Sequence, residues 1–102
     1  MLFRSQVFVN RAGSNQGSAC GLAFSPDRDQ QFLYVADYGN SHVVVLDRKT
    51  LDVVYQFGTR SERPGDFQGI HHIAVDSKGN LYTAEVAPGA RAQRFEIGRA
   101  HV

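Results

Sequence analysis

Leu22-Ala23-Phe24-Ser25, followed by Leu33-Tyr34-Val35-Ala36-Asp37, returns further along the chain as Ile73-Ala74-Val75-Asp76 and Leu81-Tyr82-Thr83-Ala84-Glu85. The two blocks are displaced by about fifty residues, and self-similarity at that period marks a stacked repeat architecture whose units cannot bury their apolar faces alone. Around these blocks the apolar runs are short and rich in Val, Phe, Tyr and Leu. Gly, Asn, Asp, Ser and Pro separate them, which is the signature of strands. No segment reads as a helix.

Working outward, residues 20–25 read as a strand, 26–30 as a turn and 32–37 as the antiparallel neighbour. Residues 38–41 turn into a third strand over 42–46, and 47–50 lead to a fourth over 53–57. These four form one meander. A polar linker over 58–69 carries the chain to strands at 70–76 and 81–85, joined by the turn Asp76-Ser77-Lys78-Gly79-Asn80, and 91–95 starts a third. Upstream, 2–9 reads as a strand and 10–17 as a flexible polar loop. The expected organisation is an outer strand of a preceding unit plus a loop over 1–17, and a complete unit over 18–58. A linker and an incomplete unit follow over 59–95, and a tail over 96–102.

Val43-Val44-Val45-Leu46 lacks in/out alternation, so that strand must be covered on both faces. A radial stack of four-stranded sheets, each sandwiched between neighbours, creates that demand without helices. The expected fold class is therefore all-β, a fragment of a β-propeller built from antiparallel four-stranded meander blades. A repeat of about fifty residues leaves room for two units in 102 residues, too few to close a ring, so the chain is expected to be a piece of something larger, with Met1 the first methionine of a truncated reading frame. Two raw blade faces and unpaired edges should make it marginal or aggregation-prone alone.

Composition sets the outer bounds. With 42% hydrophobic and 21% charged residues and a formal net charge of +1, the chain has the proportions of a soluble globular protein, and no nucleic-acid or membrane partner is expected. The single cysteine, Cys20, excludes an internal disulfide. The first six residues lack the apolar core of a signal peptide. No Gly-rich phosphate loop and no Gly-x-Ser-x-Gly nucleophile motif is present, so nucleotide binding and serine hydrolysis lose support.

Gly65-Asp66-Phe67, Ile73-Ala74-Val75-Asp76, Gly79-Asn80-Leu81-Tyr82, Tyr34-Val35-Ala36-Asp37 and Asn40-Ser41 together resemble the repeat of the NHL-type six-bladed β-propellers. The resemblance runs from Gly17 to Phe95. It departs at Ile70, where the family usually has proline, at His42, where it has arginine, and in the stretch from Glu85 to Arg91, one residue longer than that from Asp37 to His42. The same fold hosts lyases, lactonases and binding platforms, so the resemblance implies architecture more than activity. By the same resemblance the full-length protein would be exported or periplasmic. Residues 97–102, Ile-Gly-Arg-Ala-His-Val, resemble the in-frame translation of a short-read sequencing adapter, so His101 is not counted as a ligand.

His71 and His72 stand immediately before an inner strand, where a propeller side chain can face the central channel. The resemblance to amidating lyases of this family implies a metal-ligand role for His71. One imidazole from each of three blades would meet on the axis and leave an open coordination position on zinc or calcium. His72 is the weaker candidate, and Cys20 stands at the equivalent place of the first unit, as a soft ligand or a small buried residue. The plainer alternative is that either histidine bonds a backbone carbonyl at the strand entrance. Asp37 and Glu85 recur at the end of the second strand of each unit. They read either as a channel acid/base or cation-binding pair, Glu85 being the catalytic candidate, or as turn carboxylates accepting backbone N–H groups. Asp27 and Asp76 read as turn residues. Phe24, Phe32, Tyr34, Phe57, Phe67, Tyr82 and Phe95 are expected to fill the space between sheets, and Tyr38, Arg60 and Arg63 to sit in exposed loops.

Two functional classes follow. The first is a scaffold whose loops and channel mouth hold a small molecule, peptide, protein or carbohydrate, completed by the remaining blades of a longer chain. The second is a metal-dependent lyase or hydrolase, peptidyl-hydroxyglycine amidating-lyase-like or lactonase-like, with His71 on the metal and Glu85 assisting.

Overall fold

Short β-rich runs punctuated by Asp, Asn and Gly form seven antiparallel strands, because each turn sequence closes locally and returns the chain beside itself. The computed structural model describes residues 4–7 and 19–96, and among them there is no helix. The strands are β1 (Ala19–Phe24), β2 (Phe32–Asp37), β3 (His42–Asp47), β4 (Val53–Phe57), β5 (Ile70–Val75), β6 (Asn80–Glu85) and β7 (Arg91–Glu96). They make two meanders, a four-stranded sheet in the order β1-β2-β3-β4 and a three-stranded sheet in the order β5-β6-β7. Every pairing is antiparallel.

The sheets stack face to face, with β5 against β1 and β2. Tyr34, Ala36, Val43 and Val45 from the first sheet meet Ile70 and Leu81 from the second, and Phe67 from the linker plugs the gap between them. Full burial of one such large apolar side chain stabilises by about 1.5–3 kcal/mol. The Phe67 ring lies against Phe57 and Phe95, with centroids 6.1 and 5.7 Å away. Gly58, at φ 101°, is required here, since a Cβ on it would lie 2.5 Å from that ring. Two narrow strands also converge at Gly21, where a Cβ would lie 2.8 Å from the carbonyl oxygen of His71.

Val43, Val44, Val45 and Leu46 are all buried. Val43 and Val45 face the second sheet, while Val44 and Leu46 join Val35 in a separate cluster flanked by Leu33 and Leu51. The missing alternation in the sequence thus corresponds to a sheet buried on both faces.

Several expectations change. Phe24 and Tyr82 do not fill the space between the sheets. They point from the outer faces, 49% and 38% exposed, because strand alternation turns them away from the shared core. Residues 4–7, half of the strand expected at 2–9, carry no strand and enter neither sheet. The rest of that strand, the loop at 10–17 and the adapter-like residues 97–102 lie outside the described residues, whereas Glu96 belongs to β7 rather than to a tail.

Candidate functional site

One end of the stack gathers most of the candidate residues. The starts of β1 and β5, the turns 38–41 and 86–90 and the linker 58–69 all lie there by the antiparallel topology. The register slips between Ala19 and Gly21 opposite β2, and again between Ile70 and His72 opposite β6. Cys20 and His71 are therefore the extra residues of two equivalent bulges. Such bulges bend a strand and re-aim a side chain.

Cys20 is a free, exposed cysteine. His71 is half-buried, with its ring set edge-on to Tyr38 at a centroid distance of 6.3 Å. Tyr38, expected in an open loop, is consequently half-buried as well. The Nδ1 atoms of His71 and His72 lie 3.1 Å apart, so at least one of the rings must offer a lone pair. Two imidazole nitrogens bound at about 2.0–2.1 Å to one ion would stand at such a separation. Among the described residues no group of three His, Cys, Asp or Glu side chains is assembled for a metal.

Each recurring carboxylate caps local structure. Asp37 is buried and accepts from the Asn40 backbone N–H at 3.3 Å and from its side-chain amide at 3.1 Å. Glu85 has a fully buried side chain. Its Oε1 accepts from the Gln68 backbone N–H at 2.7 Å. Its Oε2 accepts from Arg91 Nε at 2.7 Å and Gln93 Nε2 at 2.9 Å. Burial pushes the Glu85 carboxyl up, but the donors Arg91, Gln68 and Gln93 with the Arg91 charge outweigh it and hold the group below its ordinary value. An ionised carboxylate with both oxygens engaged is an anchor in this arrangement, and its lone pairs are already in use.

Arg91 extends the anchor into the linker, donating to the carbonyls of Glu62 at 2.6 Å, Arg63 at 3.3 Å and Asp66 at 2.9 Å. Asp66 in turn accepts from Ser61 Oγ at 2.6 Å and the Thr59 N–H at 3.1 Å. Its carboxyl is lowered chiefly by the Ser61 hydroxyl. Arg63 reaches Asp66 at 3.4 Å from an otherwise exposed position. The linker is thus a fixed wall rather than a loose tether.

Against that wall lies a cleft of about 270 Å³ lined by Tyr38, Gly39, Arg60, Gln68, Gly69 and Pro88. Arg60 donates to the Gly39 carbonyl at 3.2 Å, which leaves its remaining guanidinium donors available at the rim. His42 closes the neighbouring corner through Nδ1 and the Gly58 carbonyl, 2.8 Å apart. The opposite end of the stack carries the turns of Asp27, Asp47 and Asp76. Asp76 accepts from the N–H groups of Lys78 and Asn80, the Asn80 amide and the Tyr82 hydroxyl. The Asn80 side chain is the largest cause lowering its carboxyl to about 2.

Sequence reasoning found Tyr38, Arg60 and His71 but missed Gln68, Gly69, Pro88 and Arg91. For Arg91 a signal existed, since Glu85 and Arg91 are directly opposed across the β6–β7 pair and opposite charges there stabilise a sheet. Neither a protein-family model nor a curated protein matches this chain.

Proposed function

We propose that this chain is two neighbouring blades of an NHL-type β-propeller and that it serves as a binding platform, taking a peptide in the cleft between Tyr38 and Pro88. The observation that carries this reading is the cleft's dual origin. Tyr38 and Gly39 come from the first unit, and Gln68, Gly69 and Pro88 from the linker and the second. A tyrosine, a guanidinium and a proline line the same cleft, which suits a peptide carrying both apolar and polar side chains. Loops on a rigid scaffold are where such recognition is usually built. Panning a displayed peptide library on the full chain tests it. Binders should lose about tenfold or more in affinity with Tyr38→Ala and with Arg60→Ala, and nothing with Arg28→Ala at the far end. A library that yields no binder, or binders indifferent to Tyr38 and Arg60, would overturn the reading.

The metal-dependent alternative draws support from one distance, the 3.1 Å between the two Nδ1 atoms. His71 and His72 would hold the ion as a pair, further ligands coming from the remaining blades of a longer chain, and the ion would act as a Lewis acid. Zinc titration by calorimetry distinguishes the readings. Uptake that disappears in His71→Ala but survives Cys20→Ser favours the metal, and uptake unchanged by His71→Ala removes it.

A further inference from the structure

The cleft between the two units holds a surplus of hydrogen-bond donors. Among the described residues the Tyr38 hydroxyl and the Gln68 side-chain amide make no hydrogen bond, and Arg60 spends one N–H on the Gly39 carbonyl and forms no ion pair. Acceptors are scarcer, because three carbonyls of the lining residues are already in use. Gly39 takes Arg60 at 3.2 Å, Gln68 takes the Gly89 N–H at 3.1 Å, and Gly69 takes the Val86 N–H at 2.8 Å. The lining residues include no carboxylate. Asp37, Asp66 and Glu85, from the surrounding turns and linker, are committed elsewhere: Asp37 to Asn40, Asp66 to Ser61, Thr59 and Arg63, and Glu85 to Arg91, Gln93 and Gln68. Arg60 thus brings to the cleft a charge that no described side chain pairs.

We infer, resting on the peptide reading of the cleft, that the group recognised there is a carboxylate, supplied by an acidic side chain or by the C-terminus of the bound peptide. A guanidinium presents its N–H groups in a planar fork that matches the two oxygens of a carboxylate, and charge-assisted bonds of this kind are about twice as strong as neutral ones. The Tyr38 hydroxyl and the Gln68 amide share the cleft and add neutral donors for the lone pairs that Arg60 leaves over. A neutral amide in the same place would satisfy fewer of these donors and would bring N–H groups of its own to carbonyls that are already engaged. One arginine beside two neutral donors suits a single negative charge, whereas phosphorylated motifs are met by clusters of arginines.

Retention of synthetic peptides on the immobilised full chain tests it. Three pools of N-acetylated hexapeptides, randomised over uncharged residues, differ only in where a carboxylate stands. One carries a central Glu and a C-terminal amide, one a central Gln and a free C-terminus, and one a central Gln and an amide. At least one of the first two should be held about tenfold more strongly than the neutral pool, and which one it is separates a side-chain carboxylate from a terminal one. The preference should fade at high salt. It should vanish with Arg60→Gln, survive in part with Arg60→Lys, and weaken with Tyr38→Phe, which removes the hydroxyl and keeps the ring. Arg28→Gln at the far end should leave it unchanged. A neutral pool held as strongly as the other two, and released by Tyr38→Ala, would overturn the carboxylate assignment while leaving the peptide platform standing. A preference for carboxylate that outlasts Arg60→Gln would overturn it as well. Retention of none of the three pools would overturn both.

Discussion

Thr83 occupies in the second unit the place that Val35 fills in the first, and both side chains are 2% exposed. The Thr83 hydroxyl has no hydrogen-bond partner among the described residues, and leaving such a group buried costs about 1–3 kcal/mol. Thr83→Val keeps the shape and removes the orphan, so stability should rise by about 1 kcal/mol. A higher urea midpoint with an unchanged slope would register it, and a lower midpoint would mean that the hydroxyl is engaged after all. Asp76 gives the opposite kind of prediction. Its carboxyl sits at about 2 against an ordinary 3.8 because Asn80, Tyr82 and the turn N–H groups favour the ionised form. A depressed carboxyl stabilises the fold fully above the unfolded value. That contribution drains away as pH falls from 3.8 towards 2, where the unfolded chain binds the proton more readily. Denaturant midpoints measured between pH 6 and pH 2 should therefore converge for wild type and Asp76→Asn at the acid end, and a gap constant across that range would contradict the assignment. The turn role of Asp76 was legible in Asp76-Ser77-Lys78-Gly79-Asn80 because all its donors but the Tyr82 hydroxyl lie within that stretch. The orphan at Thr83 was not, since its burial comes from a sheet contact that the local sequence does not encode.

At the level of elements, the bounds of β1 to β7 were legible almost to the residue because most of these strands end in a turn that their own sequence specifies, whereas the strand expected at 2–9 was not borne out at residues 4–7. Asp47 binding the N–H groups of Lys49 and Thr50 is a local act, and so is Asp27 accepting from Gln31. The linker was the hard part. It read as a polar connection, yet its order comes from Arg91, whose acceptors are backbone carbonyls 25 to 29 residues upstream. Backbone acceptors leave no trace in the alphabet of side chains. Arg91→Ala would strand the fully buried Glu85 carboxylate without its cation, and the expected loss is about 2–4 kcal/mol, below the upper range for a buried pair because the arginine is itself 28% exposed. Glu85→Gln in the Arg91→Ala background should restore part of that loss, because the stranded charge is gone. Chemical denaturation of the three variants checks both statements. A penalty under about 1 kcal/mol for Arg91→Ala, the range of an exposed ion pair, would show that the linker is held by other means.

For the molecule as a whole, the sequence repeat announced stacking, but not where the stack is tightest. The two sheets approach most closely where β1 meets β5, and Gly21 makes that approach possible. Strand propensity alone favours valine over glycine at position 21 by up to about 1 kcal/mol, so a first sheet folding independently of the second would gain from Gly21→Val. In the stacked protein the new Cβ would lie 2.8 Å from the His71 carbonyl oxygen and 3.5 Å from Ile73 Cγ2. The obstacle is backbone that cannot rotate aside, so relief requires β1 and β5 to separate and the packing of Ile73 and Ile70 to loosen with them. Overpacking of this kind costs about 1–3 kcal/mol, which outweighs the propensity gain and reverses the sign. Gly21→Val should therefore lower the melting temperature of a single cooperative transition, with Gly21→Ala falling between it and the wild type. Stabilisation by Gly21→Val, or a melt that splits so that one sheet unfolds at the wild-type temperature, would mean that the sheets do not share one core.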